Sequence, residues 1–154
     1  MNKLKKIALS VSILIFLLSL TQPAFYIGRS DPDGWSNSLG LLLMGWSGAL
    51  FGGAGLSWLA HPFLLLSWIF FLKKPKMSLL FNFIAIIFSA SFLLFHTIIS
   101  DEAGNYSVIT ERKTGYWLWL TSIIMLFIFN LVLLYLERIN DNRKFIDPGI
   151  NTRL

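Results

Sequence analysis

The chain has 154 residues, of which 55% are hydrophobic and 14% are charged, and its formal net charge is +5. This composition is too apolar for an ordinary soluble domain and indicates an integral membrane protein. The chain contains no cysteine, which excludes disulfide exchange and thiolate metal sites. Its basic residues form no long basic helix, so we expect the lipid bilayer, and not a nucleic acid, to be their partner.

Positive charge is concentrated in alternate polar segments between the apolar runs. One such segment precedes the first run, another separates the second run from the third, and the last follows the fourth. This alternation is the positive-inside pattern, and it predicts a bacterial inner-membrane protein with both termini in the cytoplasm. The three segments hold 10 of the 13 basic residues, namely Lys3, Lys5, Lys6, Lys73, Lys74, Lys76, Arg138, Arg143, Lys144 and Arg153.

The first apolar run predicts a transmembrane helix over residues 7–21. With the lysines before it, the run has the outline of a secretory signal. A cleavable signal carries small residues at the first and third positions before the cut, and the third position before Phe25 holds Gln22. We therefore expect this span to be retained, although cleavage stays open on the sequence alone and would leave the other spans in the same orientation.

The second apolar run, residues 38–72, is too long for one simple crossing. Its 35 residues would form about 52 Å of helix, whereas about 20 residues span the hydrocarbon core. Two crossings would move the lysines at 73–76 to the outside, so we predict one crossing over 52–72. The remainder, 39–51, is then an interfacial helix, a re-entrant helix or the outer end of a long tilted one.

The third and fourth apolar runs predict spans over residues 77–99 and 116–136. Together with the first two they predict an all-α integral membrane protein. It is a bundle of about four transmembrane helices, in which the second is long, rich in glycine and kinked at a proline. This single membrane domain covers residues 1–137, and residues 138–154 form a cytoplasmic tail.

Glycine is concentrated in the outer half of the second run. Small residues four apart lie on one side of a helix, where another backbone can approach closely. We expect this surface to pack against a helix of the same chain, a second copy or a different membrane protein. The residues concerned are Gly45, Gly48, Ala49, Gly52 and Gly53.

The sequence Gly45-Trp46-Ser47-Gly48 resembles the Gly-x-Ser-Gly nucleophile motif of rhomboid intramembrane proteases. The resemblance implies an intramembrane serine protease in which Ser47 is the nucleophile and His96 is the base. It covers only this motif, and rhomboid proteases have a six-span core where this chain has about four spans. Catalysis is therefore a remote alternative, and we expect a protein that is not an enzyme.

A histidine and a proline lie near the centre of the second crossing. Pro62 has no N–H, so it leaves the carbonyl of Trp58 without its helical donor and favours a kink. Polar groups at such depth are costly unless they are paired. His61, Ser57 and the free carbonyl therefore form a candidate ligand or proton site, with a neutral His61 that stabilises the kink as the structural alternative. His96 is expected to be interfacial.

Two asparagines lie in the inner halves of the third and fourth spans. Asn82 and Asn130 lie at similar predicted depths, so we predict an amide pair across the helix interface. No acidic residue lies inside any span, which argues against an antiporter of the small multidrug exporter kind, whose first span carries a glutamate. The sequence indicates no metal and no cofactor.

These features predict a small binding or accessory protein of the membrane. Its glycine-rich second span would contact a membrane-protein partner or a second copy of the chain. Inhibitors of pore-forming bacteriocins, the immunity proteins, are similar in size and span number. Transport or ligand binding at His61 and Pro62 is the alternative. The sequence leaves open the partner, the substrate and the oligomeric state.

Overall fold

The computed structural model describes residues 2–28, 37–101 and 103–146. Within these ranges a 3-10 helix over Gly53–Leu59 leads directly into the third α-helix, and a short one over Phe92–Leu94 extends the fourth. The α-helices are α1 (Asn2–Leu20), α2 (Ser38–Leu50), α3 (Ala60–Phe71), α4 (Pro75–Ser91) and α5 (Thr114–Ile146). The strands are β1 (Phe25–Ile27), β2 (Thr97–Ile99) and β3 (Tyr106–Arg112).

Three helical segments of the described chain are long and apolar enough to cross a membrane: Gly53–Phe71, Pro75–Leu94 and Thr114–Asn140. They overlap the second, third and fourth predicted spans. Helix α1 is apolar only beyond its lysine-bearing first turns, so its apolar part is shorter than that of the other three. The chain is therefore mostly helical, with three segments compatible with membrane spans.

The apolar run 38–72 forms two helices and not one. Helix α2 ends at Leu50, and Gly52 and Gly53 adopt positive φ angles of 78° and 59° where the 3-10 helix begins. Only glycine reaches this region of backbone space without strain, so the pair ends one helix and starts another. Of the three alternatives left open for residues 39–51, the outer end of one long tilted helix is therefore wrong. The helical segment that is apolar enough to cross a membrane begins at Gly53, one residue from the predicted start of the crossing.

Helix α2 folds back against the 3-10 helix through glycine contacts. A Cβ atom placed on Gly55 would lie 2.2 Å from the carbonyl oxygen of Gly48, so the two backbones touch. One turn further on, Gly45 faces the indole of Trp58, whose Nε1 donates to the carbonyl of Leu42 at 3.1 Å. The glycines serve close packing between antiparallel segments of the same chain.

The predicted glycine surface needs one correction. Gly45, Gly48 and Ala49 lie on α2, but the helix ends before Gly52 and Gly53. These two residues form the turn, and a Cβ atom added to either would meet nothing within 4 Å. Their role is conformational, and the five residues do not share one helix face.

Basic segments from distant parts of the chain meet at one end of the bundle. The Nζ atom of Lys5 lies 2.6 Å from Oε1 of Glu137, which joins the start of α1 to the later part of α5. Lys74, between α3 and α4, and Lys76, in the first turn of α4, lie beside the same glutamate. The sheet lies at the opposite end of the bundle.

Small polar residues hold the helices together inside the bundle. The hydroxyl of Ser12 on α1 donates to the carbonyl of Ser122 on α5 at 3.1 Å and accepts from the indole of Trp68 on α3 at 3.1 Å. The hydroxyls of Ser67 and Ser78 lie 3.0 Å apart between α3 and α4. Such short polar side chains allow close helix approach in an apolar surrounding.

The outward faces of four helices are apolar. Each presents a large aliphatic side chain that is more than half exposed, which is the surface expected of a helix in contact with lipid. Examples are Leu14 on α1, Ile69 on α3, Ile87 on α4 and Ile128 on α5.

The sheet corrects the all-α prediction. It is antiparallel, in the order β1-β3-β2, with Phe25 paired to Arg112 and Ile98 paired to Ser107. The third predicted span, 77–99, is also too long at its C-terminal end. The helical segment ends at Leu94, because residues 97–99 pair with β3.

Arg112 attaches the sheet to the helices. From the end of β3 its Nη2 atom donates to the carbonyls of Leu93 at 3.1 Å and Phe95 at 2.9 Å, where α4 and its extension end. Its guanidinium lies 5.8 Å from the centre of the Phe92 ring. A cation suits this position, since the last carbonyls of a helix carry partial negative charge.

The last helix continues into the predicted tail. Helix α5 runs to Ile146, beyond the predicted end of the fourth span at 136. The first part of the predicted tail is therefore helical, and residues 147–154 lie outside the described part of the chain.

The predicted amide pair is not formed. The Nδ2 atom of Asn130 donates instead to the carbonyl of Pro75 at 3.1 Å. Asn82 is fully buried, and neither atom of its amide has a hydrogen-bond partner among the described residues. The similar depths of the two residues did not bring their amides into contact.

We expect Asn82→Leu to leave the free energy of unfolding unchanged or to raise it by about 1 kcal/mol. Leucine has a similar volume, and it removes a buried amide whose desolvation is not compensated by hydrogen bonds. Asn130→Leu is the matched variant: it breaks the hydrogen bond to the carbonyl of Pro75 and should lower the free energy of unfolding by about 1 kcal/mol. Thermal denaturation in detergent measures both, and a destabilised Asn82→Leu would show that this amide has a partner.

Candidate functional site

A cavity of about 630 Å³ lies at the sheet end of the bundle. Its walls are α2, the 3-10 helix Gly53–Leu59, the sheet, the end of α1 and the first turns of α5. This volume falls within the range of about 300–1,000 Å³ that is typical of small-molecule sites. The glycine turn makes the cavity possible, because it folds α2 back beside the helical segment Gly53–Phe71.

The surface of the cavity wall is mainly apolar, but several polar side chains are part of it. Among the lining residues that the structure describes, Asp101 is the one that carries a formal charge, and it lies at the exposed edge. His61 and Ser57 supply polar groups from the segment Gly53–Phe71, and further hydroxyl groups come from Ser19, Ser38, Ser47, Thr97, Tyr106 and Tyr116. A mostly apolar wall with a few placed polar groups is the usual composition of a ligand pocket.

His61 is held in one orientation by its neighbours. Its Nδ1 atom lies 2.9 Å from the carbonyl oxygen of Trp58, the carbonyl that Pro62 leaves without a helical donor. Its ring stacks on Trp119, with the ring centres 4.8 Å apart and the planes 16° from parallel, and it meets the edge of Phe16 at 6.1 Å. Nδ1 is therefore paired, while Nε2 has no hydrogen-bond partner among the described residues.

The structure brings three of the four residues predicted around the proline into the cavity wall. Ser57, Trp58 and His61 line it, whereas Pro62 does not and acts through the carbonyl that it leaves free. The Ser57 hydroxyl donates to the carbonyl of Ala54 at 2.8 Å. The backbone changes from 3-10 to α-helical winding just before His61.

The structure does not form the predicted serine and histidine pair. The Ser47 hydroxyl donates to the carbonyl of Met44 within its own helix, at 2.8 Å, and no hydrogen bond joins it to His96. Ser47 lines the cavity, but His96 is exposed in the segment before β2 and does not. The two residues therefore do not form the hydrogen-bonded pair of nucleophile and base that the resemblance implies.

Asp101 keeps a negative charge at the edge of the cavity. Its carboxylate accepts hydrogen bonds from the side-chain Nδ2 of Asn105 at 2.7 Å and from the backbone N–H of the same residue at 2.9 Å. These bonds favour the ionised form and lower the pKa of Asp101 below its usual value. The edge is therefore anionic at neutral pH.

Sequence reasoning missed the residues that other elements contribute to the cavity. Phe25 and Ile98 come from strands, and Tyr116 and Trp119 come from the first turns of α5. The hydroxyl of the buried Tyr116 donates to the carbonyl of Ser89 at 3.1 Å. The spacing of Tyr116 and Trp119 was the available signal, because residues three apart share a helix face.

Comparison of the chain with protein-family models, with curated proteins and with solved structures gave no match. The geometry of the cavity is therefore the basis for assigning a function.

Proposed function

We propose that this chain is a multi-pass protein of the bacterial inner membrane that binds a small apolar molecule in its outer cavity. It acts in this proposal as a binding or transport protein and not as an enzyme. The observation that carries the proposal is the cavity of about 630 Å³, closed on one side by α2 and containing a histidine nitrogen that has no hydrogen-bond partner among the described residues.

The proposed topology has four spans with both termini in the cytoplasm. The pairing of Lys5 with Glu137 and the position of Lys74 beside the same glutamate support it, because the basic segments share one end of the bundle. Basic residues collect on the cytoplasmic side of membrane proteins. The apolar outer face of α1 supports its role as the fourth span, in which the exposed Lys3 and Lys6 extend towards the headgroups while Lys5 pairs with Glu137.

A ligand is favoured over a protein partner at the glycine-rich segment. A helix uses glycines to approach another helix closely, and here Gly45 and Gly48 already contact Trp58 and Gly55 of the same chain. That surface is consequently occupied. The cavity that the same fold creates has no occupant from the described chain.

A membrane-protein partner, as in an immunity-type protein, is the second candidate and would use a different face of α2. Its outer side carries large apolar residues that follow one another at intervals of four, three and four residues along the helix. Such a stripe suits contact with another helix. The residues are Leu39, Leu43, Trp46 and Leu50, whose exposed fractions range from 48% to 76%.

Photolabelling with an n-alkyl diazirine in native membranes tests the ligand proposal. We expect the probe to label peptides that line the cavity, and Ser57→Phe to suppress that labelling because the new ring occupies the cavity. Leu56→Phe is the matched control: it adds the same ring one residue earlier, at a position outside the cavity lining. If the native protein and both variants were labelled equally, and only at lipid-facing positions such as Ile69, ligand binding would be contradicted. The outer side of α2 would then be the favoured site, as a surface for a membrane-protein partner.

A further inference from the structure

We infer that the cavity takes an uncharged, mainly apolar molecule that donates a hydrogen bond, from a hydroxyl or N–H group, to Nε2 of His61. The inference rests on the proposed ligand-binding function and adds the chemistry of the ligand to it. It follows from three features: the tautomer of His61, the charges of the wall and the size of the cavity.

Pro62 determines the tautomer of His61. Because proline lacks an N–H, the carbonyl of Trp58 takes its hydrogen bond from Nδ1 of His61, 2.9 Å away. A carbonyl oxygen only accepts, so Nδ1 must carry the proton. In the neutral ring the other nitrogen then has a lone pair and no hydrogen, and Nε2 can only accept.

The imidazolium form would let both nitrogens donate, but the surroundings oppose it. The ring lies against Trp119, Phe16 and Trp58, within a helical segment that is long and apolar enough to cross a membrane. A charge in such a place is costly unless it is paired. No acidic side chain of the described chain forms an ion pair with His61. The neutral ring, in which Nε2 accepts a hydrogen bond, is therefore the stable form. A donor group on the ligand supplies that hydrogen bond.

The charges of the wall favour an uncharged ligand. The lining residues that the structure describes include no lysine or arginine, so a carboxylate or phosphate group would find no counter-charge. Asp101 at the exposed edge adds a negative charge that repels anions on their way in. A cationic group would pair with Asp101 at this edge, since no acidic side chain of the described chain forms an ion pair with His61.

The size of the cavity suits a molecule with an aromatic or aliphatic body and one donor group. About 630 Å³ holds a compound of the size of an alkylphenol with space to spare. Small polar groups that fix orientation inside an apolar wall are what such pockets use for specificity. His61 fills this role for the donor group.

Competition with the diazirine label tests the donor requirement. The competitors are 4-hexylphenol and its methyl ether, 4-hexylanisole, which differ in whether the oxygen carries a hydrogen. For each competitor, the experiment measures the concentration that halves cavity labelling of the full-length protein. The quantity compared is the concentration for the ether divided by the concentration for the phenol. The ratio should be about tenfold higher in the native protein than in His61→Phe, which corrects for the different partitioning of the two compounds into lipid.

A second variant tests the tautomer itself. In Pro62→Ala the new N–H can donate to the carbonyl of Trp58 and release Nδ1 from that task. Nε2 can then carry the proton, so the preference for the phenol should fall towards the value of His61→Phe. If His61→Phe does not fold, Pro62→Ala alone tests the inference. An ether-to-phenol ratio in Pro62→Ala equal to that of the native protein overturns the inference.

The two proposals fail in different ways. No cavity labelling in the native protein refutes the proposed function and this inference with it. Cavity labelling with the same ether-to-phenol ratio in native protein and His61→Phe refutes only the donor requirement. In that case the cavity binds apolar molecules by shape alone.

Discussion

Gly55→Ala is expected to lower the free energy of unfolding by about 3 kcal/mol. The added Cβ atom would lie 2.2 Å from the carbonyl oxygen and 2.4 Å from the carbonyl carbon of Gly48, and backbone atoms cannot rotate away as a side chain can. Helix α2 must therefore move off the 3-10 helix and open the cavity wall. Thermal denaturation in detergent measures the loss of stability, and diazirine labelling reports the change in the cavity.

Gly48→Ala is the matched control across the same contact. Its Cβ atom would come no closer than 3.8 Å, to Cα of Gly55, which is an ordinary van der Waals contact. Alanine also favours the helix over glycine by about 1 kcal/mol, so this variant should be neutral or slightly more stable. Equal effects of the two substitutions would show that the close approach of α2 at Gly55 is not as described.

Arg112→Ala is expected to detach the sheet from the helix ends. The substitution removes charge-assisted hydrogen bonds to the carbonyls of Leu93 and Phe95, and hydrogen bonds to charged groups contribute about 1.5–3 kcal/mol each. We therefore expect the free energy of unfolding to fall by about 3 kcal/mol. Hydrogen exchange of the amides in β2 and β3 should become much faster, because these strands depend on the same attachment.

Lys113→Ala is the control for charge at the same place in the chain. Its ammonium pairs with Glu111, which is largely exposed, and lies 4.3 Å from the centre of the Tyr26 ring. Exposed pairs of this kind contribute only about 0–1 kcal/mol, so exchange in the sheet should change little. If both variants accelerated exchange alike, the effect would come from net charge and not from the bonds that Arg112 makes.

The positions of the helices that are long and apolar enough to cross a membrane could be predicted, because they follow from apolar length. The segments starting at Gly53 and Pro75 begin within two residues of the predicted spans. Recognising these segments in the sequence required no information about tertiary contacts.

The fold of α2 and the sheet needed information that the sequence carries only weakly. Hydropathy does not distinguish one long helix from two helices joined at Gly52 and Gly53, because both are equally apolar. The strands are short, and β1 pairs with a segment more than 80 residues away, as the partners Phe25 and Arg112 show. The β-branched residues Val108 and Ile109 within β3 were the available signal.

The candidate site could be predicted in part. The local effect of Pro62 on the carbonyl of Trp58 follows from covalent structure, so the pairing with His61 was within reach. The stacking of His61 on Trp119 and the wall supplied by the sheet depend on how distant segments meet. The asparagine pair failed for the same reason, since similar depth does not determine which way two side chains point.

The pairing of β1 with β3 bears on the order in which the molecule is made. β1 lies near the start of the chain and β3 lies just before α5, so this part of the sheet cannot form until most of the chain has left the ribosome. Contacts between such distant segments are slow to form because a long loop must close first. The cavity is therefore among the last features to be assembled, and a nascent chain that ends at α4 lacks the strand and the aromatic residues that complete its wall.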